Sequence, residues 1–168
     1  MTIFMVGYAK GVALYNMAHG TKVEVLGTKF YVGNFNSTDD GRRAGESLMD
    51  EGADIIMPVA GKVGLGTAAA VKERGKMLIG VDTDMVVSAS EYKDIILTSV
   101  LKNMDVAVLE AIKQVEDGTF KGGTYAGTLA NNGVGLADFH EFKDKVPQAL
   151  KDELEQLRKD LIGKMTAG

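Results

Sequence analysis

No cysteine occurs among the 168 residues. That excludes disulfides, thiolate nucleophiles and thiolate metal sites, and it says nothing about compartment. Histidine is nearly as scarce: His19 and His140 are the only two. They lie far apart without ligand spacing, and each reads as a surface or capping side chain rather than a base. No G-x-S-x-G elbow is present, so hydrolase chemistry of that kind has no nucleophile. Positive charge is not in excess, because 19 Lys and Arg face 23 Asp and Glu for a net −4. Nucleic acid is therefore a poor partner. No apolar run is long enough to cross a membrane. The opening MTIFMVGYAKG has neither a basic n-region nor a small-residue cleavage site, so as written the chain carries no export signal and would stay in the cytoplasm. Repeats and low-complexity segments are absent, and neither cofactor nor metal is expected.

What is present suits a soluble α/β domain. Hydrophobic residues make up 45% and charged residues 25%, ordinary values for a globular chain, and the length allows one domain with a substantial core. Only two prolines but 21 glycines punctuate it, and the glycines fall between apolar runs. The stretch 36–52 predicts a helix: Ser37 can cap it, Asp40 stands three residues on, Ala44, Leu48 and Met49 form its apolar stripe, and Gly52 stops it. The runs 53–61 and 76–82 are apolar without alternation, as buried parallel strands are. A short helix over 65–75 lies between them, and 23–33 supplies an earlier strand. The pattern is βαβαβ, with a parallel sheet covered by helices on both faces. Further on, 94–100 reads as a strand and 101–118 as a helix with Leu101, Val108, Ile112 and Val115 near one face. A strand is expected around 124–129. A final helix has Pro147 in its first turn, a stripe of Val146, Leu150, Leu154, Leu157 and Leu161, and an i,i+4 pair of Glu155 and Lys159.

Three strand-end stretches invite chemistry. PVAGKVGLG (58–66) joins a strand to a helix through a glycine loop. Its Lys62 follows Gly61 directly, which breaks the Walker spacing, and Gly61, Gly64 and Gly66 are in the wrong order for a dinucleotide fingerprint. A phosphate cradle, a tight structural turn and a loop that approaches a neutral polar ligand all remain open. GVDTD (80–84) places Asp82 and Asp84 at the end of the next strand. It is either a solvated turn or a carboxylate that accepts sugar hydroxyls. A calcium loop fails, since Val87 stands where glycine is needed and Lys93 where glutamate is needed. YVGNFNS (31–37) places Phe35 among small polar residues, either as a core ring or as a face for stacking on a flat base.

Taken in order, YVGNF, PVAGKVGLG, GVDTD, LTSVLKNMDVAVLEAIKQVEDGTFKGG and NNGVGLAD resemble the basic membrane protein family over about residues 7–162. Its members are solute-binding lipoproteins similar to the purine nucleoside receptors that feed ABC transporters. The resemblance implies one lobe of a type I periplasmic-binding-protein fold, a role in binding rather than catalysis, an ABC permease as partner and an extracytoplasmic, membrane-anchored setting. It implies a purine nucleoside ligand, with Phe35 stacking on the base, Gly61, Lys62 and Gly64 in the cleft loop, Asp82 accepting from the ribose, and Lys102 reaching the ligand. Backbone N–H groups of 61–66 would add to it. Family members are roughly twice this length. The first lobe, the signal peptide and the lipid-acceptor cysteine are therefore expected to be missing, and binding by one lobe would be impaired. Residues 1–6 are either a strand or the start of a helix. The helix within 99–118 would pack on the other lobe, so a homodimer is expected. The alternatives are a regulatory or self-associating remnant of the family and an unrelated flavodoxin-like enzyme.

Overall fold

The computed structural model describes residues 2–27 and 30–166. Contacts group the chain into two compact units, Met1–Leu78 and Ile79–Gly168. Among the described residues four strands, β1 (Ile55–Ile56), β2 (Met77–Asp82), β3 (Ile96–Lys102) and β4 (Val134–Leu136), form one sheet in that order.

In the first unit α1 (Thr2–His19) opens the chain. Residues 2–6 are thus helical, and Met1 lies outside the described residues. No residue of α1 is buried, and Ile3 and Met17 are among the most exposed apolar side chains. The strand expected over 23–33 does not form: 21–27 and 30–33 are irregular, and Thr28 and Lys29 lie outside the described residues. Helix α2 (Thr38–Asp50) begins where its cap predicts, with Ser37 Oγ accepting from the Asp40 N–H. It ends as expected at Gly52, whose φ of 104° lets its N–H and that of Ala53 reach back to the carbonyls of Met49 and Leu48. Strand β1 is only Ile55–Ile56, shorter than the 53–61 run. Its parallel ladder to Met77 and Leu78 stops just before Pro58, which has no N–H to extend it. Helix α3 (Val63–Glu73) follows. Leu78, Val71 and Ala68 have no exposed surface and centre this core.

The second unit begins within β2 (Met77–Asp82). It continues through α4 (Met85–Ser88), β3 (Ile96–Lys102), α5 (Met104–Glu116), β4 (Val134–Leu136) and α6 (Gln148–Thr166). The α/β class holds, but the sheet is mixed rather than parallel. β4 runs antiparallel to β3, with Val100 opposite Leu136 and Lys102 opposite Val134. The expected strand at 124–129 is displaced to β4, because the intervening residues make a side-chain-locked turn. Asn131 Oδ1 accepts from the Thr128 and Gly133 N–H groups, and Asn132 sits at φ 56°. Helix α5 starts later than expected, since Leu101 and Lys102 belong to β3. It buries nothing: Val108, Ile112 and Val115 are 60%, 50% and 62% exposed. The α6 stripe is half-buried from Val146 to Leu157 and exposed at Leu161, and Glu155 pairs with Lys159 at 3.9 Å.

Candidate functional site

Phe35 sits on the loop that leads into α2. Asn34 Oδ1 accepts from the N–H groups of Asn36 (3.1 Å) and Ser37 (2.9 Å), while its Nδ2 donates to Asp40 Oδ2 at 2.8 Å. The side chain thus substitutes for backbone in a tight turn. The Asn34 amide, followed by Ser37 and by Arg43, which pairs with the same carboxylate, holds the Asp40 carboxyl below its ordinary value. The turn is fixed on both flanks, yet the ring between them is 53% exposed. A ring this exposed on so constrained a backbone is presented to solvent rather than left over from the core.

Gly61 faces that ring: a Cβ built there would lie 4.0 Å from Phe35 Cδ1. The glycines of the loop are used for packing. A Cβ at Gly66 would stand 1.8 Å from Thr38 O, and one at Gly41 1.9 Å from Val63 O, while Gly64 lies against Pro58. Helices α2 and α3 therefore cross backbone to backbone, clamped by Thr67 Oγ1 donating to Gly41 O at 2.8 Å in the buried interface. The N–H groups of Val63, Gly64 and Leu65 already donate to the carbonyls of Ala60, Gly61 and Lys62. The expectation that the 61–66 loop offers a row of free N–H groups is not met at these positions, and a phosphate cradle is disfavoured for the same reason. Lys62 occupies the cap position of α3 without a side-chain cap and is exposed. Beside this loop a cavity of about 690 Å³ is lined by Phe35, Pro58, Val63, Leu48, Ile55 and Tyr8, among others. Burial, reinforced by the negative charge of Asp54, pushes the Tyr8 phenol up from its ordinary value.

In the second unit Asp82 ends β2 at φ 71°, and Thr83 N–H donates across it to Val81 O at 2.9 Å. An i→i+2 bond around a residue with positive φ is a strained γ-turn, a conformation that costs about 1–3 kcal/mol. Lys102, at the end of β3, places Nζ 2.6 Å from Asp82 Oδ1. That oxygen is sheltered and makes no aligned hydrogen bond, so the pairing is a charge contact. The turn continues into α4, where Asp84 Oδ1 accepts from Val86 N–H at 3.1 Å and Thr83 Oγ1 lies 3.0 Å from Ser88 Oγ. Ser99, with no exposed surface, accepts from Met85 N–H at 3.1 Å. Gly80 makes room for it, since a Cβ there would stand 2.3 Å from Ser99 Oγ. His140 Nε2 lies 2.7 Å from Asp84 Oδ2.

The structure thus joins Gly61 to Phe35 and Lys102 to Asp82. Sequence reasoning did not identify Asn34, Ser99 or the Asp84–His140 contact. Asn three residues before an N-cap is a legible signal for the first, whereas the others depend on pairing between distant segments. Among the described residues no group of His, Cys, Asp and Glu could hold a metal ion, and no helix is long and apolar enough to cross a membrane.

A family model described as "Bmp: ABC transporter substrate-binding protein PnrA-like" matches residues 1–166. An uncharacterized lipoprotein of Pyrococcus horikoshii is 34% identical over 178 residues, covering 95% of this chain and 43% of the relative. Basic membrane protein D of Borreliella burgdorferi is 32% identical over 137 residues, covering 79% of this chain and 38% of that protein. Among solved structures, a solute-binding protein of an ABC transporter system from Aeropyrum pernix K1 superposes with a TM-score of 0.78 at 28% identity, covering 96% of this chain and 52% of that one. The chain spans less than half the length of these curated relatives.

Proposed function

The chain belongs to the Bmp family of PnrA-like ABC transporter substrate-binding proteins, and from that premise we propose that it is a purine nucleoside-binding module that acts by binding rather than turnover. Phe35 stacks on the base. Asp82 accepts from ribose hydroxyls, and Lys102 pairs with that carboxylate and orients it. Gly61, Lys62 and Gly64 shape the rim beside the ring. The observation that carries this reading is the Phe35 ring, exposed on a backbone tied down at Asn34, Ser37 and Asp40. Aromatic faces held in this way receive flat bases without reading their edges. An ABC permease and an extracytoplasmic, membrane-anchored setting follow the lipoprotein relatives. The face of α5 formed by Val108, Ile112 and Val115 is proposed to pair two copies of the chain.

The test is a thermal shift with inosine, guanosine and adenosine at millimolar concentration. A rise in melting temperature is expected, lost in Asp82→Ala and Phe35→Ala. No shift with any of the three nucleosides would overturn the reading.

A further inference from the structure

We propose that His140 is a positioning residue: through Asp84 it holds the strained turn that presents Asp82. Three observations converge on it. First, among the described residues only Asp82, Asn132 and His140 combine positive φ with a side chain, at 71°, 56° and 38°. One of them, His140, meets the carboxylate of Asp84, two residues beyond another, Asp82. Second, Asp84 uses both of its oxygens. Oδ1 caps Val86 N–H at 3.1 Å, and Oδ2 meets His140 Nε2 at 2.7 Å. The contact spans 56 residues and is about three-quarters buried on both sides. Third, the short helix beyond the turn is held on its other side by the fully buried Ser99, which accepts from Met85 N–H. The γ-turn at Asp82 is therefore bounded by fixed points on β3 and on the 140–142 turn.

The physical logic follows from strain. A residue in the left-handed region relaxes unless its surroundings over-determine it. Release of Asp84 frees the 83–84 backbone to rotate, Thr83 N–H loses Val81 O, and the Asp82 carboxylate swings away from its present aim. His140 itself is held at φ 38° by the 3-10 turn of His140–Phe142, whose Phe142 is buried. The histidine thus couples a packed turn to an exposed rim.

The ligand arm of the test rests on the nucleoside reading, while the backbone arm does not. The variants are His140→Gly, which removes the side chain and tolerates the φ, and His140→Gln, which restores a donor. Hydrogen exchange is followed residue by residue on the whole chain. The expected result is that Thr83 and Val86 amides exchange about tenfold faster in His140→Gly. The core amides of Leu78 and Ile96 should be unchanged, and His140→Gln should recover most of the protection. Inosine affinity should fall by a similar factor in the glycine variant and return in the glutamine variant. Wild-type protection at Thr83 and Val86 in His140→Gly would overturn the proposal. So would a uniform loss of protection across 79–168, which marks a merely structural role. If wild-type protein binds no nucleoside but the exchange pattern appears, the latch stands and the ligand reading fails.

Discussion

Gly66→Ala tests whether the glycines of the 61–66 loop are there for packing. The new methyl would sit 1.8 Å from Thr38 O, 2.7 Å from Thr38 C and 3.0 Å from Arg42 N. All three are backbone atoms of one turn, so no rotamer change relieves the contact. Reaching even 3.0 Å requires α2 and α3 to part by about 1.2 Å in an interface with little free space. Overpacking of this kind costs about 3 kcal/mol. Parting the helices also stretches the Thr67 to Gly41 bond beyond 2.8 Å, a further loss of about 1 kcal/mol. Alanine returns about 1 kcal/mol of helix propensity. The net loss is about 3 kcal/mol, or a melting temperature lower by roughly 6–12 °C for a chain of this size. Gly11→Ala is the control: it is also inside a helix, with nothing within 4 Å of its Cβ. It should gain about 0.5–1 kcal/mol from propensity alone. Circular dichroism melts of both variants decide the matter. A Gly66→Ala protein as stable as wild type would refute the close crossing and reopen the loop as a ligand cradle.

The Phe35 turn should also be acid-sensitive. Asp40 is held below its ordinary value chiefly by the Asn34 amide, with Ser37 and Arg43 assisting. Its contribution is present above the unfolded value and is lost as pH falls through the lower folded one. Urea melts should therefore show wild type more stable than Asp40→Asn at pH 7, with the gap closing at pH 3; an unchanged gap would contradict the assignment. For the second unit, light scattering on eluting protein should show a dimer that Ile112→Glu converts to monomer. A monomeric wild type at micromolar concentration would sink that proposal.

Local signals in the sequence were legible because the physics behind them is local. Ser37, Asp40 and Gly52 define both ends of α2 through bonds of three to five residues' span, and the chain folds there as read. The runs at 76–82 and 94–100 became β2 and β3. Strand extent was not legible, because a strand exists only where another edge receives it. The 53–61 run is apolar apart from Asp54 but pairs at only two positions with β2. The 23–33 segment was expected as a strand, yet its described residues form none. β4 was misplaced because the Asn131 side chain supplies the turn bonds that a backbone ladder would have made. Phe35 and Asp82 were picked out by their place after expected strands and Lys102 by the family resemblance, while Ser99 and His140, which help to hold the Asp82 turn, lie far along the chain, and Asn34, though inside YVGNFNS, carried no signal of its own there.

The glycine loop shows how one motif can mislead. A strand, a run of glycines and a helix N-terminus together make an anion site only when the N–H groups at the helix start point at open space. Here three successive N–H groups at 63–65 are folded back onto the carbonyls of 60–62. The small residues that would have let a phosphate approach instead let α2 approach. That approach has a functional consequence. The loop that carries Phe35 runs directly into α2 through the Ser37 cap, and Gly61 opens the turn into α3. Backbone contact at Gly41 and Gly66 thus fixes the distance between the exposed ring and the rim beside it. A side chain at either glycine would shift that distance without changing the identity of any rim residue. Under the proposed nucleoside reading, substitutions at these glycines should weaken base stacking in proportion to the separation they force, with the glycines acting as spacers rather than as contacts.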